Sequence, residues 1–204
     1  MLNLGVEFNL QGLEVLVKEF RKPSMKIVEI GSWRGYSADV ILRHIVGVEG
    51  AHLFCVDHWL GSPNTQQPGE ILQTGENIYK TFLNNMFIRG YITRVTPIRL
   101  PAEEAVQLFP NHYVDFVFLD GDHAYTPSAR DIDMWWPKLK SGGIFCGHDM
   151  ECMYEQVPEE LKQPQHWEND CVRGLHIGVI KAVCERFPSV SILEGNIWCV
   201  QKAH

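Results

Sequence analysis

The sequence predicts an α/β protein: one Rossmann-like, three-layer αβα domain around a seven-stranded, mostly parallel sheet with one antiparallel strand near its C-terminal end. Three observations predict it. Apolar runs alternate with helical patterns, as in a parallel sheet covered on both faces. The first such run, Ile27, Val28 and Ile30, passes straight into Gly31 and Gly35 and then into a helical pattern. The last two runs are joined only by Glu194-Gly195-Asn196, which suits a hairpin and not a helical crossover.

Taken in order, a helix over Gln11–Phe20 precedes the first strand, Lys26–Ile30, and the helix Tyr36–Ile45 follows its glycine turn. The apolar stretch His52–Val56 gives strand two, the helical pattern Gly75–Ile88 comes next, and Thr93–Ile98 gives strand three. Ala102–Leu108 is a short helix, Val114–Leu119 a near-continuous apolar strand, Ser128–Leu139 a helix and Gly143–Cys146 strand five. Ile177–Phe187 is the last helix, and Val190–Leu193 and Ile197–Val200 form the hairpin. Leu60–Gln73, rich in Gly and Pro, and Met150–His176, broken by Pro158 and Pro164, fit no element and read as loops. Loops of that length in a compact domain are usually functional lids or disordered. Residues 1–204 therefore read as a single domain, with 1–25 a helical N-terminal segment and 150–176 an active-site loop.

A net charge of −7 argues against a general binder of nucleic-acid phosphates. The six cysteines are scattered without a C-x-x-C pair, the start lacks a signal peptide, and no apolar run approaches the roughly 20 residues of a membrane helix. The expectation is a cytoplasmic protein with reduced thiols and no membrane contact. The helix before strand one packs either on its own sheet or on a second subunit, so a homo-oligomer stays open. Trp135-Trp136 reads as helix-to-sheet packing, not a stacking platform for bases.

In open α/β sheets ligands bind beyond the carboxyl ends of the strands. Strand one delivers Glu29 and the loop Gly31-Ser32-Trp33-Arg34-Gly35 there. This E-x-G-x-x-x-G pattern lacks the glycine that admits a pyrophosphate and carries an acid before the turn. It suits a ligand with both a carboxylate and a cation, such as the methionine part of S-adenosylmethionine. Strand two ends in Asp57-His58, where an acid accepts ribose hydroxyls. Strand four ends in Asp120-Gly121-Asp122-His123 and strand five in His148-Asp149. Such carboxylates repel one another without a cation, so Asp120, His148 and Asp149 form a candidate metal face for Mg²⁺ or Mn²⁺, with the imidazole tilting the choice toward Mn²⁺, Fe²⁺ or Zn²⁺. His123 beside them is placed to take a proton from a hydroxyl. The spacings of Cys152, His166, Cys171 and His176 match no usual zinc pattern.

Val28–Ala38, Cys55–Trp59, Phe118–Tyr125, Trp135–Asp149 and the Gly178-Val179…Ala182-Val183 pair resemble class I S-adenosylmethionine-dependent methyltransferases, and in particular the methyltransferase domain 24 family. Glu29–Ser37 also resembles the cofactor loop of catechol O-methyltransferase. The resemblance implies that Glu29, Gly31, Trp33, Gly35 and Ser37 surround the methionine moiety, Ser37 bonding its carboxylate. It implies that Asp57 holds the ribose with His58 beside the adenosine, and that Asp120 lies near both cofactor and metal. The Asp-x-x-His pair of related sugar O-methyltransferases maps onto Asp120 and His123, and their next metal-binding acids onto His148 and Asp149. Relatives often carry Ser near the adenine where this chain has Pro101, which leaves backbone or Ala102 for that contact. The expected reaction is methylation of a hydroxyl on a small metabolite or sugar. A metal-dependent hydrolase or oxygenase using the same cluster predicts turnover without the cofactor, and a silent cofactor-binding domain predicts cofactor affinity with a disordered or empty metal site.

Overall fold

The computed structural model describes residues 2–4, 8–61 and 77–203. Most of the loop read over Leu60–Gln73, and the first residues of the helix read from Gly75, lie outside them. The first helix, α1 (Gln11–Phe20), leads into β1 (Lys26–Ile30), α2 (Tyr36–Ile45), β2 (His52–Val56), α3 (Ile78–Ile88) and β3 (Val95–Ile98). Then come α4 (Ala102–Ala105, continued by a 3-10 turn), β4 (Val114–Leu119), α5 (Tyr125–Trp135), β5 (Leu139–Gly147), α6 (Pro164–Trp167), α7 (Ile177–Arg186), β6 (Ser191–Leu193) and β7 (Ile197–Gln201).

The seven strands form one sheet in the order β3-β2-β1-β4-β5-β7-β6, in which β7 alone runs against the rest. The predicted architecture is met. One consequence of the register positions the site. Val56, Ile30, Leu119 and Gly147 pair in one row, so Asp57, Gly31, Asp120 and His148 emerge together from four adjacent strand ends.

Every residue of β4 is buried, because both faces are covered. On one face Ile27, Phe116 and Phe118 pack with Leu13 and Val17 of α1, Ile41 and Ile45 of α2, and Phe82 of α3. On the other, Val28, Val117 and Phe145 pack with Ile132 and Trp135 of α5 and Ile180 and Val183 of α7. Each such side chain contributes roughly 1.5–3 kcal/mol on leaving water. Trp135 is fully buried, as its packing assignment requires. Helix α1 packs on α2 of its own chain.

Several boundaries differ from expectation, each for a local reason. The helix expected at Ser128–Leu139 starts at Tyr125, because the Asp122 carboxylate accepts the Ala124 N–H and prepares the turn. It ends at Trp135, since Pro137 has no N–H to continue it and the chain winds into a 3-10 turn. Strand β5 starts at Leu139 instead of Gly143, across a register shift opposite Val114/Phe116. Met150–His176 holds short 3-10 turns at Tyr154–Gln156 and Glu159–Leu161 besides α6. The six cysteines are free thiols. No helix among the described residues is long and apolar enough to cross a membrane.

Candidate functional site

Beyond β1 the chain turns on Gly31, whose φ is +88° and where a Cβ would sit 1.9 Å from the Asp120 carbonyl oxygen. Only glycine allows β1 and β4 to release their loops side by side. Gly35, at φ +91°, caps α2 and packs against Met86 and Phe82. The loop is tied down from β2. The Asp57 carboxylate accepts the Trp33 N–H at 2.8 Å and the Trp59 N–H at 2.6 Å. Burial raises the Asp57 pKa, and these two bonds work against the rise. Glu29 is fully buried behind the loop, where Oε2 accepts from the Ser32 hydroxyl at 2.5 Å and Oε1 has no hydrogen-bond partner. Burial pushes its pKa up to about 7.

At the other end of the row stand Asp120 and the His148-Asp149 pair. Asp149 adopts a left-handed conformation, φ 65°, at the exit of β5, and the next residue, Met150, donates its N–H to Asn196 of the β6–β7 hairpin. Its carboxylate lies 3.0 Å from His148 Nδ1, 3.0 Å from His123 Nε2 and 3.4 Å from His176 Nδ1. Asp120 Oδ1 is 3.7 Å from His148 and 3.8 Å from His123. The donor atoms of Asp120, His148 and Asp149 fall within 4.8 Å of one another, as do those of His123, Asp149 and His176.

The connection read as a loop supplies three further groups. Asp170 reaches His123 Nδ1 at 2.6 Å, and Glu151 holds His176 through ring Nδ1 at 2.8 Å and backbone N–H at 3.1 Å. Sequence reasoning missed Asp170, Glu151 and His176. His176 surfaced only within a cysteine-histidine set of no zinc spacing.

Electrostatics show what this cluster demands. Burial works to raise the Asp120 pKa, but hydrogen bonds from His123 and His148 outweigh it and hold the carboxyl well below the usual range. Burial likewise disfavours charged His148, yet Asp120 and Asp149 push its pKa up to about 10. The carboxylates therefore draw positive charge to this point. Two carboxylates and an imidazole, converging within one coordination sphere, fit a divalent cation of the Mn²⁺, Fe²⁺ or Zn²⁺ kind.

Loop and cluster line one cavity of about 950 Å³. Of the residues singled out from sequence, Gly31, Ser32, Trp33, Ser37, Asp57, His58, Ala102, Asp120, His123, His148 and Asp149 are on its wall. Glu29 and Gly35 are not: the first lies behind Ser32, the second acts through backbone.

The strand order with one reversed strand, the glycine turn after β1 and the acid after β2 define a class I methyltransferase architecture. A family model described as a methyltransferase domain matches residues 28–150, more than half of the chain, and the chain belongs to that family. The chain is 27% identical over 127 residues to the uncharacterized protein y4gI of Sinorhizobium fredii, covering 62% of this chain and 13% of that one. It is 24% identical over 141 residues to the uncharacterized protein R132 of Acanthamoeba polyphaga mimivirus, covering 68% and 58%. It thus spans less than two thirds of either curated relative. Among solved structures, an O-methyltransferase from Bacillus cereus in complex with SAH aligns with a TM-score of 0.56 at 19% identity, over 98% of this chain and 84% of that one.

Proposed function

We propose that this methyltransferase transfers the methyl group of S-adenosylmethionine to a hydroxyl of a small acceptor, assisted by a divalent cation at Asp120, His148 and Asp149. The observation that carries the reading is the continuity of one cavity from the Gly31–Ser37 loop to the Asp/His cluster. The O-methyltransferase from Bacillus cereus that shares the fold was solved with SAH, which supports the cofactor.

Each part of the wall has a task in that reaction. Ser37, in the first turn of α2, and the N-terminal end of that helix, which has no side-chain cap, suit the methionine carboxylate. Gly31, Ser32 and Trp33 form the floor beneath the methionine, and Glu29 sets the loop from behind through Ser32. Asp57 faces the ribose, His58 the adenosine, and Ala102 the adenine end. The acceptor oxygen attacks the methyl carbon in line with sulfur, and S-adenosylhomocysteine leaves; the protein's contribution is alignment. Asp120, His148 and Asp149 would hold such a cation, which would act as a Lewis acid toward the acceptor hydroxyl and lower its pKa. Although burial works against it, the carboxylates of Asp120, Asp170 and Asp149 raise the His123 pKa. His123, with Nδ1 held by Asp170, would therefore accept the released proton at Nε2 once a bound cation has drawn off their charge.

The test is calorimetric titration of chelator-treated protein with S-adenosylhomocysteine, with and without Mn²⁺ or Mg²⁺, followed by transfer to a panel of catechols and sugars. Binding is expected, with turnover that needs the cation and disappears in Asp120→Ala. Absence of binding under every condition would remove the cofactor assignment, and full turnover in Asp120→Ala would remove the metal.

A further inference from the structure

The cluster half of the cavity has an apolar wall with no part in holding cofactor or cation. Leu4, Phe8 and Leu10, all ahead of α1, make it. Phe8 is 52% exposed, yet its backbone is fixed from two sides. Its carbonyl accepts from the Tyr36 hydroxyl at 3.0 Å. Its neighbour Asn9 lies against the β6–β7 turn, where a Cβ on Gly195 would sit 1.9 Å from the Asn9 carbonyl oxygen. The Asn9 amide donates to Glu194 at 3.4 Å, and its side-chain oxygen accepts the Gln11 N–H at 3.1 Å. Held in this way, the Phe8 ring stands beside the His148 ring, with centroids 5.9 Å apart and planes at 63°. An aromatic side chain half in water beside a candidate cation site gains by covering a flat apolar ring. A sugar would meet three side chains here that have no hydrogen bond to give.

Charge narrows the occupant further. Asp120, Asp149, Glu151 and Asp170 line this half, and no described Lys or Arg does. The two guanidiniums on the cavity wall are engaged elsewhere. Arg130 pairs with Glu103 and Asp131, and Arg34 lies 5.5 Å over the Trp33 ring of the glycine loop. With His123 a base and His148 a ligand, both neutral, a divalent cation offsets only two of the four carboxylates. This half then stays negative even with His176 protonated, and a carboxylate or phosphate on the acceptor is repelled.

We propose that Phe8 is the specificity-determining residue for the acceptor: its ring covers a hydroxylated aryl group whose oxygen reaches the cluster, and the surrounding carboxylates exclude aryl acceptors that carry an anion. The proposal rests on the transfer reading above and deepens it by naming the substrate class.

The experiment uses three catechols that differ only in the group para to one hydroxyl: methyl, aminomethyl or carboxymethyl. At about pH 7 they are neutral, cationic and anionic. Each is titrated calorimetrically into protein saturated with S-adenosylhomocysteine and Mn²⁺, and each is assayed for transfer from S-adenosylmethionine. The neutral and cationic rings are expected to bind about tenfold or more tightly than the anion, by a margin that shrinks at high salt. Phe8→Ala weakens binding of the neutral ring about tenfold and Phe8→Trp restores it, while S-adenosylhomocysteine affinity stays within about twofold of wild type. An anion bound as tightly as the neutral ring overturns the proposal, as does unchanged catechol affinity in Phe8→Ala. Absence of catechol binding by protein that does bind S-adenosylhomocysteine overturns it too. Absence of S-adenosylhomocysteine binding by the wild-type protein instead overturns the cofactor reading.

Discussion

The two halves of the cavity are built on different principles. The loop half is held by backbone: Gly31 turns against the Asp120 carbonyl, and Asp57 clamps two main-chain N–H groups. The cluster half is held by side chains that close on one another from β4, β5 and the long connection before α7. Such a site depends on main-chain conformation and on the few side chains, Asp57, Glu29 and Ser32, that fasten it. A side-chain site is tunable, and each member's charge depends on its neighbours. The first suits an invariant cofactor, the second a proton, a cation and a particular acceptor.

The sharpest way to break that division is to remove the residue the cluster shares. Asp149→Ala deletes contacts to His148, His123 and His176 at once. Turnover should fall about a thousandfold, divalent-cation binding should be lost, and affinity for S-adenosylhomocysteine should stay within about threefold. Calorimetry and an initial-rate assay read these separately. A matching loss of cofactor affinity would mean the halves are one unit.

The reciprocal change is Gly31→Ala. It puts a Cβ against the Asp120 carbonyl and forces an unfavourable φ, so β1 and β4 must part at their ends. A stability loss of about 3 kcal/mol is expected in urea unfolding, together with loss of cofactor binding. The same substitution at Gly90 has a positive φ, 75°, but nothing within 4 Å, and should cost about 1 kcal/mol. Equal costs would show that backbone conformation, not close approach, accounts for Gly31.

The difference between the halves also decides what could be read without a structure. Gly31, Asp57, Asp120 and His148 are each the first residue past a strand, and strands are marked by continuous apolar runs such as Val117-Phe118-Leu119. Parallel pairing then brings them into one row, so local pattern was enough. Asp170 meets His123 across 47 residues, and Glu151 meets His176 across 25. Nothing local marks those pairs, because a proline-broken connection has no periodicity to give direction. The helix limits failed for a smaller reason: the Asp122 turn and Pro137 act on single hydrogen bonds, below the scale of a hydrophobic pattern.

Glu29 gives a pH test of the loop half. Burial places its folded pKa near 7, above the 4.5 usual for a glutamate. The fold then binds a proton more readily than the unfolded chain, so stability is full below about pH 4.5 and falls as pH rises toward 7. The loss attributable to Glu29 is of the order of 3 kcal/mol, read as the difference between wild-type protein and Glu29→Gln in urea unfolding across that range without ligand. Parallel profiles for the two proteins would place the charge of Glu29 elsewhere than in the energetics of the fold.

The smallest effect belongs to Asp170, which is hydrogen-bonded to the cluster through His123. Asp170→Asn keeps an acceptor near Nδ1 but removes its charge, so the ring loses part of its orientation while all candidate cation ligands remain. A fall in turnover of about tenfold is expected, with acceptor KM and cation affinity unchanged, and Asp170→Glu should recover part of the rate. If turnover is untouched, the connection serves only to cover the site, and the cluster half reduces to β4 and β5. If cation affinity falls with the rate, His123 belongs among the ligands, and the two donor groups that meet at Asp149 act as one.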